Sequence, residues 1–146
     1  MSCVNRRPGG SAVIYHSIRF KLKPDADHGQ IEDTLEHLRR LGRELSVVRS
    51  FVVGQDIGGE FDYGATYVLE SVDDYHAYMY APLHRATDDV GMPLIERMTS
   101  FDITDDPDPA VGERIQEIHR ARYAGDPALK NMIDQIGSYT GSGVES

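Results

Sequence analysis

Residues 14 to 21 alternate without a break. Ile14, His16, Ile18 and Phe20 fall on one side, and Tyr15, Ser17, Arg19 and Lys21 fall on the other. A period of two marks a strand with one face buried, because successive side chains leave a pleated backbone on opposite sides. The segment 12–23 therefore needs a covering layer for its apolar face. That face also carries a histidine.

The rest of the chain supplies the layer. After the breaker "PDADHG", Ile31, Leu35, Leu38 and Leu45 form one stripe of a helix over about 28–45. The β-branched run "VVRSFVVGQ" (47–55) predicts a second strand, and "ATYVLE" (65–70) a third, with Gly58–Gly59 turning between them. Ser71 caps a second helix, with Asp74 three residues on. Val72, Tyr75, His76 and Met79 share one face of it, and Tyr78 lies beside that face. Pro82 opens a further helical segment that runs to about Met98, with a break near Gly91–Met92–Pro93. "TSFDIT" (99–104) closes as a fourth strand. The order strand, helix, strand, strand, helix, strand predicts a ferredoxin-like α+β sandwich.

This reading divides the chain into a flexible N-terminal tail (1–11), the main domain (12–106), a helical extension (107–137) and a flexible end (138–146). Val111, Ile115, Ile118 and Arg122 make one weak stripe in the extension; Leu129, Met132, Ile133 and Ile136 make another. Two such helices form no core of their own, so they are expected to dock on the main unit or on a partner subunit. The second face of the sheet, with Tyr15, Ser17 and Arg19, is too apolar to stay wet. It predicts a homodimer paired sheet to sheet.

Charge and cysteine content exclude several classes. A formal charge of −9 opposes nucleic acid and anionic membranes, which attract clustered Lys and Arg. Cys3, the single cysteine, rules out an internal disulfide. No apolar run approaches the ~20 residues of a membrane span, and no hydrophobic stretch follows Arg6–Arg7. A cytoplasmic protein is expected. The six histidines are scattered, and "DITDDPDPAVGE" (102–113) imitates a calcium loop but holds Pro107 where the sharp turn needs glycine. Without a phosphate loop or a nucleophile elbow either, the expectation is no metal and no cofactor.

The remaining chemistry lies in "YMYAPLHRA" (78–86). On an unbroken helix Tyr78 and His84, six residues apart, would point nearly opposite ways, about 240° around the axis. The break at Pro82 is what brings them together. Two readings stay open: a packed corner, or a pair facing a ligand. His16 likewise reads as a satisfied core histidine or as a polar contact in a pocket. A histidine titrates near neutral pH and suits proton removal next to a carbonyl, while a tyrosine hydroxyl orients the base or donates to the developing enolate oxygen.

"IRFKLKPDA", "VVRSFVVGQDI", the paired tyrosines of the second helix, "APLHRA" and "SFDITD" together resemble the stress-responsive A/B barrel (Dabb) family over residues 12–106. The resemblance implies a ferredoxin-like protomer that pairs into a dimeric α+β barrel. It also implies a distant likeness to olivetolic acid cyclase, a cofactor-free enzyme of that family whose tyrosine and histidine match Tyr78 and His84. A further histidine of the cyclase falls opposite Ile14, and His16 lies on the same strand face about 6–7 Å further on. The expected function is cofactor-independent proton transfer, cyclase- or isomerase-like, on a carbonyl or phenolic, polyketide-like molecule. His84 would act as base, Tyr78 would orient it and His16 would make a second contact. Ile14, Ile18, Phe20, Val52 and Met79 would line a pocket for this small apolar or aromatic partner. The alternatives are a non-catalytic stress-responsive binding dimer and a cofactor-free monooxygenase.

Overall fold

The computed structural model describes residues 12–144. The tail expected over 1–11, Cys3 included, lies outside the described residues, as do 145–146. The elements are β1 (Ile14–Leu22), α1 (His28–Glu44), β2 (Ser50–Gln55), β3 (Tyr63–Leu69), α2 (Val72–Met79), α3 (Pro82–Gly91), β4 (Ile95–Thr104), α4 (Ala110–Ala124), α5 (Pro127–Asp134) and β5 (Ser138–Gly141). The sheet runs β2-β3-β1-β4-β5, antiparallel except for the last pair. The ferredoxin-like α+β fold read from the sequence is the fold of the chain.

One face of the sheet carries the core. Ile14, His16 and Phe20 are buried on β1, beside Ala65, Tyr67 and Leu69 of β3. Asp27 caps α1 by accepting from the Gln30 amide at 3.2 Å, and Leu35, Leu38 and Leu41 bury against the sheet. α1 approaches β2 so closely that a Cβ on Gly42 would stand 2.2 Å from the Phe51 ring. The opposite face is open, with Tyr15 47%, Val52 63% and Ile103 62% exposed.

Ala81 takes extended angles (φ −62°, ψ 136°), as a residue before proline must, and Pro82 then starts α3. The chain therefore turns a corner between Met79 and Pro82.

Three expectations require correction. The stretch from Ile95 to Met98 is strand rather than helix: a 3-10 turn over Met92–Leu94 ends the helical run, and β4 begins at Ile95. Proline in that turn removes an amide donor and halts the helix. On α2, Tyr78 rather than His76 joins the buried face with Val72, Tyr75 and Met79. His76 instead stacks on Tyr80, ring centroids 4.4 Å apart, at the surface.

The third correction is the end expected to be flexible from 138. β5 pairs in parallel with β4, Ser138 opposite Arg97. Polar contacts hold it where an apolar stripe is lacking. The Ser142 amide donates to the Ser100 carbonyl at 2.8 Å, the Gly143 amide to the Ser100 hydroxyl at 3.1 Å, and the Tyr123 hydroxyl to the Gly143 carbonyl at 2.5 Å. Gly141 has φ +108°, and a Cβ there would stand 1.7 Å from the Ser100 carbonyl oxygen. Gly141→Ala should therefore destabilise the protein by about 2 kcal/mol or more. A chemical-denaturation curve checks this; an unchanged midpoint would show that β5 does not hold the fold.

Candidate functional site

Sheet, corner and extension meet around a small cavity of about 50 Å³. His16 of β1, Tyr78 of α2, His84 of α3, and His119 and Arg122 of α4 line it, with Tyr139 of β5. The corner at Pro82 brings Tyr78 and His84 together: their rings meet edge to face with centroids 4.9 Å apart. Tyr78 also lies 5.5 Å from His16. All three predicted polar residues therefore surround one hollow.

The predicted apolar lining is only partly there. Ile18 and Met79 reach the cavity. Phe20 lines a neighbouring cleft beneath α1 and α3, and Ile14 is buried in the core away from it. Val52 is a correction. Its register partner is Thr66, on the open face of the sheet, because the period of two points Val52 away from the helices.

The strongest polar construction was not anticipated from the sequence. Asp102 stands directly across from His16 in the β1–β4 ladder. It takes the His16 Nδ1 at 2.8 Å, the Tyr75 hydroxyl at 3.0 Å and the Ser142 hydroxyl at 2.6 Å. Burial works against its charge, but His16 and the Ser142 hydroxyl outweigh it and hold the carboxyl below its ordinary value.

Proton positions follow from this carboxylate, which only accepts. His16 donates its Nδ1–H to Asp102, so a neutral His16 ring carries its lone pair on Nε2. The Tyr75 hydroxyl spends its single proton on Asp102 and must therefore accept from His119, whose Nε2 lies 2.8 Å away. His119 thus carries its proton on Nε2. Its Nδ1 is a buried acceptor without a hydrogen-bond partner among the described residues. Burial pushes the His119 pKa down to about 3.

His84 is held differently. Arg122 donates to its Nδ1 at 3.1 Å and also pairs with Asp88, whose carboxylate lies 3.3 Å from the same nitrogen. Burial lowers the His84 pKa, and Arg122 lowers it further against the opposing Asp88. A neutral ring accepting from Arg122 has its proton on Nε2, so His84 is a donor at that end. Burial also raises the Tyr78 hydroxyl well above the usual phenol range, so it too remains a donor. The cavity therefore combines an imidazole backed by a carboxylate with two neutral donors.

Asp88, His119 and Arg122 do not emerge from the sequence as site residues, and Tyr75 is placed there only on a face of the second helix. A faint signal existed. The apolar stripe of α4 ends in Arg122 and runs through His119, and polar side chains on a core-facing stripe ask for a buried partner.

A ferredoxin-like sheet with a polar cavity between sheet and helices defines the class. The chain belongs to the Stress responsive A/B Barrel Domain family, whose profile matches residues 14–105. α4, α5 and β5 lie beyond that match. No curated protein matches the chain. Among solved structures it is similar to a dimeric ferredoxin-like protein of unknown function from Thermobifida fusca (22% identity, 64% of this chain and 91% of that one, TM-score 0.58). It is also similar to the hydroxynitrile lyase of Passiflora edulis (16% identity, 66% and 95%, TM-score 0.58). A putative antibiotic biosynthesis monooxygenase from Chloroflexus aurantiacus is a third (20% identity, 67% and 98%, TM-score 0.51). These likenesses establish the fold. Among the described residues no helix is long and apolar enough to cross a membrane.

The depressed histidines set the acid behaviour. An unfolded histidine binds its proton near pH 6.5, whereas folded His119 resists until about pH 3. The unfolded state then binds more protons across that window, so stability falls as pH drops through it. His119 alone should cost about 2 kcal/mol between pH 6.5 and pH 5. Denaturation at both pH values should show this loss, and His119→Phe should shrink the pH dependence by about that amount, leaving the share of the other depressed ring, His84. An equal slope in the variant would contradict the assignment.

Proposed function

We propose that the protein is a cofactor-independent enzyme that moves a proton next to a carbonyl group in a small molecule. The observation that carries the reading is the His16–Asp102 pair at 2.8 Å, set against Tyr78 and His84 across one cavity. His16 Nε2 takes the proton from carbon, and the C–H electrons form the enolate. Tyr78 and the Nε2–H of His84 supply hydrogen bonds for the oxygen that gains charge. In an isomerisation the protonated His16 returns the proton to the far carbon of a conjugated enolate; in a cyclisation the enolate carbon attacks a second carbonyl, and the alkoxide so formed takes the proton back from His16. The role of base thus moves from His84, expected from the sequence, to His16, because the Asp88 carboxylate beside His84 Nδ1 is paired with Arg122, which also donates to that nitrogen.

Hydroxyacetone in heavy water tests this reading. NMR should follow enzyme-dependent loss of protons next to the carbonyl, and His16→Ala should slow it by about 100-fold or more. Full exchange in His16→Ala, or in Tyr78→Phe and His84→Ala together, removes the assignment.

The size of the cavity favours a second reading. About 50 Å³ holds a few water molecules and is too small for an aromatic ring. A binding dimer without chemistry would need no more. Absence of exchange in the unmodified protein would select it.

We also propose that a second copy covers the open sheet face. Support comes from the exposed Tyr15, Val52 and Ile103, and from the dimeric description of the Thermobifida fusca protein. The protein should sediment as a dimer, and Ile103→Asp should shift it toward monomer. A monomer at micromolar concentration would contradict the pairing.

A further inference from the structure

The extension walls in the site. The family match ends at residue 105, yet Arg122 and Tyr123 of α4, Ile133 of α5 and Tyr139 of β5 all line the cavity. Tyr139 stands beside Met98 in the β4–β5 ladder, on the face of the sheet that carries His16. Its hydroxyl lies 3.1 Å from the Ser100 hydroxyl. Tyr123 and Ile133 are buried, and the Tyr123 hydroxyl is spent on the Gly143 carbonyl. Bulky side chains packed and tied in this way do not swing aside freely.

What they leave is about 50 Å³. A cavity of about 150 Å³ holds one benzene molecule, so this one holds a fragment of a few heavy atoms. The charges in its wall are already matched, Arg122 by Asp88 and Asp102 by His16. An ion entering there would lose its hydration without gaining a counter-charge. The hollow therefore suits a small neutral molecule.

We infer that the C-terminal extension sets the size limit of the site. It confines the site to neutral acyclic carbonyl compounds of about two or three carbons, and Tyr139 and Ile133 are the residues that exclude rings. The carbonyl group rests on the proton-transfer reading; the size limit rests on the geometry alone.

Acetone and cyclohexanone carry the same reacting group and differ only in bulk, so their comparison reads size. Titration of each ketone, followed through the imidazole nitrogen NMR signals of His16 and His84, reports binding at this cavity and not elsewhere. In the unmodified protein acetone should move both signals, and cyclohexanone at equal concentration should move neither. Tyr139→Ala removes an aromatic ring from the wall, and Ile133→Ala removes a branched chain contributed by a different element. Each serves where the other fails to fold. Either should shift the preference toward cyclohexanone by about tenfold or more, through the extra methylenes that the enlarged cavity buries. Movement of the signals by cyclohexanone in the unmodified protein, silence toward acetone, or an unchanged preference in the folded variants overturns the inference. A shifted preference without deuterium exchange into acetone keeps the size limit and removes the reaction. Exchange with an unchanged preference does the reverse.

Discussion

A carboxylate buried in this fold must be surrounded by donors, and Asp102 draws its donors from three parts of the chain. His16 comes from β1, Tyr75 from α2 and Ser142 from the segment after β5. The sheet, the corner helix and the C-terminal end are thus tied to one charge. Removing a partner from a buried charge costs about 3–5 kcal/mol, far more than a surface pair contributes. The same charge fixes where the protons of His16, Tyr75 and His119 reside. The chemistry of the cavity follows from that.

The second buried charge, Asp88, works in parallel. It lies one turn after His84 on α3 and is matched by Arg122 from α4. The extension is therefore more than a cover for apolar surface. It supplies the cation that sets the state of His84, and it narrows the hollow between sheet and helices to a few water-sized volumes. A domain ending near residue 105 would lack His119, Arg122 and Tyr139 altogether.

The scaffold was legible because it depends on periodicity. The alternation over 14–21, the stripe of α1 and the proline at 82 each dictate a local geometry that packing then keeps. Tyr78, His84 and His16 were legible for a related reason: the bend places two of them together, and the strand parity aims the third. Asp102 was not legible as a site residue, since pairing with His16 depends on the β1–β4 register, and nothing local fixes it. β5 was hidden because polar contacts to Ser100 and one glycine angle hold it, and composition shows neither. Val52 was misplaced because parity in a short strand can be read from either end, and only its pairing with Thr66 settles the face.

The arrangement of protons is the central claim, and nitrogen NMR of the imidazole rings tests it most directly. His16 should carry its proton on Nδ1, and His84 and His119 should carry theirs on Nε2, all in the neutral form of the two depressed rings at pH 7. A protonated Nε2 on His16, or a protonated Nδ1 on His84, would contradict the account.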